Sequence, residues 1–151
     1  MAMISYGSTR CPLCDQIIAW GDAIFATSHF IGRDEHPLWR YSDAAMHWAC
    51  YAQWEHQAEF ASLHFDICLK SRYKEALFSS NELVVYYTPY MDEVSVNLRR
   101  TGTEKTIKRK KWMHWMAGDW YKDCRHQLEI TTIRELLPQL SRVILPAPSL
   151  P

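Results

Sequence analysis

Two short motifs constrain this chain more than anything else in it. Cys11-Pro-Leu-Cys14 is followed, after thirty-two residues, by His47-Trp-Ala-Cys50. Two residues between ligands let a tight turn aim both sulfurs at one point. His47 and Cys50, three apart near the start of a helix, leave the same face about one turn from each other. Three thiolates and one imidazole fill the four positions of a tetrahedron, as in structural Zn2+ sites, and leave no position for a catalytic water. The spacing therefore predicts one structural zinc ion held by Cys11, Cys14, His47 and Cys50. Structural zinc contributes on the order of 10–16 kcal/mol in small peptides at neutral pH, enough to decide whether the N-terminal part folds. A Cys-x2-Cys pair also serves as a thiol–disulfide motif. Such motifs follow a strand and open a long helix, whereas Gly21 interrupts soon after Cys14. A zinc deaminase would need His-x-Glu ahead of Pro-Cys-x2-Cys, and the order here is different.

Composition narrows the class. Apolar residues make up 48% and charged residues 23% of 151 residues, which is ordinary for a globular chain and excludes a coiled coil or a low-complexity protein. Seventeen basic residues balance seventeen acidic ones, which argues against general coating of nucleic acid or an anionic membrane. The first residues carry no signal-peptide pattern, and no apolar run is long enough to span a bilayer. Five cysteines, an odd number, fit metal or free thiols better than a disulfide framework. The expectation is a cytoplasmic protein without a membrane partner.

The chain reads as a single domain over 1–151 with three parts: 1–78, 79–144 and a Pro-rich tail at 145–151. In the first part, Ile17-Ile18-Ala19 and Ala23 to Thr27, joined through Gly21-Asp22, predict a hairpin. A polar loop over 32–41 follows. Ser42 or Asp43 is the expected N-cap of a long helix reaching about Phe78, with Tyr51, Trp54, Ala58, Ala61, Phe65 and Cys68 as its apolar stripe. In the second part, 82–88 predicts a strand, and Val94, Val96 and Leu98 alternate with polar residues as in a half-buried strand. Thr101-Gly102 predicts a turn into a partner strand over 103–108. Thr132-x-x-Glu135 is a capping-box pattern for a short helix through Leu136 and Leu137 that Pro138 kinks or ends. The predicted class is α+β: a zinc knuckle, hairpin and long helix, then a small sheet with short helices.

Cys11 to Ile17, Gly21-Asp22 and His47-Trp-Ala-Cys50 on a helix together resemble a treble-clef zinc finger, and are similar to half of a LIM-type module. The resemblance covers residues 8 to about 60. It implies a knuckle, a β-hairpin and a helix that supplies the last two ligands. It implies no single function, since such fingers bind proteins or nucleic acids or only hold folds together. The long intervening loop also carries His29 and His36, which compete with His47 for the fourth position.

Other signals are weaker. Cys68 on the stripe reads as a small buried hydrophobe. Cys124 and His126, with His114 upstream, offer three irregularly spaced ligands or a Cys–His pair, too little for a second metal site or a nucleophile. Charge is uneven: residues 81–151 carry 11 basic and 8 acidic side chains, and residues 1–80 carry 6 and 9. Arg99, Arg100, Lys105, Lys108, Arg109, Lys110 and Lys111 form a basic strip that runs into Trp112 and Trp115. Such a strip receives an acidic patch of a protein partner, tracks nucleic-acid phosphates, or lies as a solvated hairpin edge beside core tryptophans. No phosphate loop, carboxylate pair or open-metal motif points to an enzyme. The expectation is a zinc-stabilised, non-enzymatic protein-binding protein, an adaptor or toxin-neutralising immunity-type protein. The alternative is a nucleic-acid-binding zinc finger that uses the strip at 99–112.

Overall fold

The first motif folds as a knuckle in the computed structural model, which describes residues 2–32, 36–70 and 76–148. Backbone bonds Gly7 N to Ile18 O (3.0 Å), Ile18 N to Thr9 O (2.8 Å) and Cys11 N to Gln16 O (2.9 Å) lay residues 7–11 against 16–18. Asp15 closes the loop at φ 59°, a left-handed conformation that Asp tolerates better than most residues. The edge of 17–18 is thereby used, which corrects the expected hairpin. The segment after the Gly21 turn, β1 (Ile24–Ala26), pairs instead with β2 (Ala45–His47), with Ile24 opposite His47. Helix α1 (Trp48–Gln53) starts directly from β2 with His47 as its N-cap, not Ser42 or Asp43. Ser42 ends a single-turn 3-10 segment over Pro37–Tyr41, and Asp43 sits at φ 60°.

The long helix is also corrected. Trp54 takes an extended conformation and ends α1, and α2 (Gln57–His64) begins three residues later. The Trp54 ring lies 4.6 Å from Tyr41 and 5.5 Å from Phe60, so aromatic packing outweighs the helical preference of the surrounding residues. The break rephases the stripe. Gln57, Phe60, Ala61, His64 and Phe65 are buried, whereas Ala58 is exposed. A widened turn over Phe65–Leu69 follows. Residues 71–75 of the expected helix lie outside the described residues, as do 33–35 of the polar loop and 149–151 of the tail. Ala76–Ser79 is strand β3, so Phe78 belongs to a sheet.

The chain divides into two compact units, Met1–Phe60 and Ala61–Pro151, with the division inside α2. In the first, Phe25 stacks on Tyr51 at 3.7 Å and meets Trp48 edge-on at 5.6 Å, beside fully buried Ile18 and Met46. The second holds an antiparallel sheet in the order β3-β4-β5-β6, with β4 (Leu83–Thr88), β5 (Glu93–Leu98) and β6 (Thr103–Lys108) at the expected positions. The overall class is therefore α+β. Leu83, Val85, Val94, Val96, Leu98 and Ile107 form one core face. They pack with Trp112 and Trp115 of α3 (Trp112–Ala117), with Trp120, and with Ile133, Leu136 and Leu140 of α4 (Gln127–Leu140). Val84 and Tyr86 point the other way and pack with Phe65 and Leu69. Strand β5 is thus buried on both faces rather than half-buried. Helix α4 begins at Gln127, where the His126 ring accepts the Leu128 amide at 3.1 Å. It starts well before the capping-box pattern, and Thr132 instead bonds back to Leu128 O at 2.7 Å. Pro138 lies inside the last turn, two residues before the helix ends at Leu140.

Candidate metal centre

Cys11, Cys14, His47 and Cys50 converge. One ligand atom from each lies within 4.8 Å of the other three. Cys14 Sγ is 3.5 Å from His47 Nδ1. Zinc–sulfur bonds of about 2.3 Å and zinc–nitrogen bonds of about 2.0–2.1 Å place tetrahedral ligand atoms roughly 3.6–3.8 Å apart. The Cys14–His47 separation is close to that range, the 4.8 Å bound leaves the other pairs within about 1 Å of it, and the soft donors suit zinc. These residues can hold a metal ion, which is compatible with a zinc finger. Neither competing histidine reaches the cluster. His29 Nδ1 contacts Ser42 Oγ at 3.4 Å, and His36 contacts Glu59 at 3.2 Å.

Each ligand is placed by local structure. Cys11 is fully buried at the base of the knuckle, Cys14 sits at its exposed tip, and Cys50 is half-buried in the first turn of α1. His47 caps α1 only with its backbone and makes no side-chain capping bond, so its ring is free to face the sulfurs. Burial raises the Cys11 thiol pKa, but the backbone amides of His47, Leu13 and Cys14 outweigh burial and lower it to about 7. A sulfur that takes several N–H donors is prepared to be a thiolate. Burial, the Cys14 hydrogen bond and the neighbouring sulfur charges push Cys50 up to about 12. Three thiolates crowded together repel one another, and a divalent cation relieves that repulsion.

One residue of the site was not anticipated as part of it. Asp22, read from sequence as a turn residue and not as part of the metal site, places Oδ2 3.2 Å from His47 Nε2. The same oxygen accepts the Ala19 amide at 2.7 Å. The only sequence signal was an acidic residue beside Gly21, between the two ligand pairs.

The other candidates do not assemble. Among the described residues no further group of Cys, His, Asp and Glu forms a metal cluster. Cys124 Sγ faces Trp120 O at 3.4 Å and burial raises its thiol to about 11. His126 caps α4, His114 is exposed, and Cys68 is half-buried.

Much of the basic strip is matched by the chain's own acids. Arg99 pairs with both oxygens of Asp66, at 2.7 and 3.0 Å, and Arg100 with Glu135 and Glu82. Lys105 lies 2.6 Å from Glu129, Lys108 2.8 Å from Glu93, and Arg109 2.6 Å from Asp92. The Arg109 and Tyr87 hydrogen bonds hold the Asp92 carboxyl below its ordinary value. Trp112 and Trp115 stack at 5.6 Å inside the core. Lys110 and Lys111 are exposed and make no ion pair among the described residues. Lys111 opens onto a cleft of about 300 Å³ that Lys108, Lys122, Asp119 and Asp123 also line.

Comparisons with protein-family models, curated proteins and solved structures give no significant match. No helix of the described residues is long and apolar enough to cross a membrane.

Proposed function

We propose that this is a zinc-stabilised, non-enzymatic protein-binding protein of the adaptor or toxin-neutralising immunity kind, with a treble-clef finger over residues 8–60. The observation that carries the reading is the convergence of three cysteines and one histidine into a filled four-ligand set. Such a set stabilises a fold and leaves an ion no open position for chemistry. A knuckle, a β pair and a helix that brings the last two ligands agree with the treble-clef order. The ion would be Zn2+, one per chain, with a structural role.

The partner reading rests on Lys110 and Lys111, which are exposed and make no ion pair among the described residues, Lys111 also lining a polar cleft; such cations suit an acidic protein patch. Tracking phosphates asks for a run of free cations, and stacking bases asks for exposed rings. Here five of the seven cations of the strip have acidic partners in the chain, and both tryptophans lie in the core. A salt titration separates the two readings. The zinc-loaded protein is expected to show no steeply salt-dependent affinity for DNA or RNA. It should lose its protein partner, recovered by crosslinking in the native host, when Lys110 and Lys111 are both changed to Glu. Tight, salt-sensitive oligonucleotide binding abolished by the same change would overturn the protein reading.

A further inference from the structure

We infer that Asp22 is a positioning residue of the metal centre: it fixes the His47 tautomer so that the ring binds the ion through Nδ1. The inference rests on the metal-centre reading above and adds to it a residue and a coordinating atom.

The geometry has three parts. First, Gly21 at φ 92° allows the tight Ala19–Asp22 turn, closed by Asp22 N to Ala19 O at 3.2 Å. Residues with a side chain rarely adopt that conformation. Second, the turn feeds β1, whose register sets Ile24 opposite His47 and so brings Asp22 alongside the same ring. Third, Asp22 Oδ2 is itself anchored by the Ala19 amide at 2.7 Å, so the carboxylate is held before it meets the histidine. It then lies 3.2 Å from Nε2, while Nδ1 lies 3.5 Å from Cys14 Sγ.

A neutral imidazole carries one N–H and one lone pair. An ionised carboxylate only accepts hydrogen bonds, so Asp22 selects the tautomer with the proton on Nε2. The lone pair is left on Nδ1, on the side of the sulfurs. The anchored carboxylate also limits rotation of the ring and makes Nδ1 a stronger donor. Outer partners of this type typically change metal affinity 10–100-fold when removed. The competing account is that Asp22 only closes its own turn through the Ala19 amide.

The test uses the full-length chain loaded with zinc. Long-range 15N–1H correlation of the His47 ring should show the proton on Nε2 and the metal-bound shift on Nδ1. Zinc competition against a chromogenic chelator should show Asp22→Ala weakened about 10–100-fold. Asp22→Asn should lose less, because its amide oxygen still accepts from both Nε2–H and Ala19. Coordination through Nε2 in the unaltered protein would overturn the inference without any variant being needed. Wild-type zinc affinity in Asp22→Ala would overturn it as well. A wild-type chain that binds no zinc at all defeats the metal-centre reading first, so the two failures are distinct.

Discussion

At the residue scale, single positions are held by geometry that a neighbour imposes. His47 is the clearest case, being at once the last residue of β2, the cap of α1 and a member of the cluster. Its identity and its spacing from Cys50 were legible, because ligand chemistry is local. Asp22 was not, because only the β1–β2 register places it beside His47. Gly102 behaves in the same way in the second unit. It turns the β5–β6 loop at φ 67°, and an added Cβ would stand 3.0 Å from Ala61 Cα. Both backbone strain and contact oppose a side chain there. Gly102→Ala should destabilise the protein by about 1 kcal/mol or more, read as a lower denaturant midpoint with an unchanged slope. An unaltered midpoint would mean that the loop relaxes freely.

At the element scale, strands β4, β5 and β6 were readable, whereas β3 and the ends of the helices were not. Strand β4 follows a Val- and Tyr-rich run ended by Pro89, β5 follows apolar–polar alternation, and β6 follows the Thr101-Gly102 turn, signals that act over a few residues. Helix ends depend on what packs nearby. Trp54 leaves the helix to reach Tyr41 and Phe60, and α4 begins at the His126 cap rather than at Thr132. One contact joining β6 to α4 makes a sharp prediction. Lys105 Nζ lies 2.6 Å from Glu129 Oε1 without hydrogen-bond alignment, so charge attraction holds the pair. The Glu129 side chain is 1% exposed, and its other oxygen accepts the Arg125 amide at 2.5 Å. Removing one buried partner strands the other charge. Lys105→Ala should therefore cost about 3–5 kcal/mol, whereas Lys105→Met with Glu129→Leu should come close to neutral. A double-mutant cycle in urea reads both, and equal losses for the single and double variants would refute the pairing.

At the scale of the whole molecule, the two units differ in how much sheet and apolar core they carry. Ala61–Pro151 surrounds its sheet with apolar and aromatic side chains on both faces. Met1–Phe60 is a short unit with two three-residue strands, close to the size at which a core alone is marginal. On the proposed zinc reading, chelating the ion from the zinc-loaded full chain should therefore remove amide protection across Met1–Phe60 while β4, β5 and α4 stay protected in hydrogen exchange. Equal protection with and without metal would show that the N-terminal core is sufficient. The even balance of seventeen basic and seventeen acidic residues takes on detail at this scale, since most of the basic strip is spent on pairs within the chain. By itself the sequence determined the four clustered residues, strands β4, β5 and β6 and the mixed class, because motif spacing, apolar patterning and turn residues are properties of neighbouring residues. Only the tertiary structure decided where the helices break, which strand β1 joins, which cations form ion pairs within the chain and that Asp22 meets His47, because those depend on surfaces brought together from distant parts of the chain.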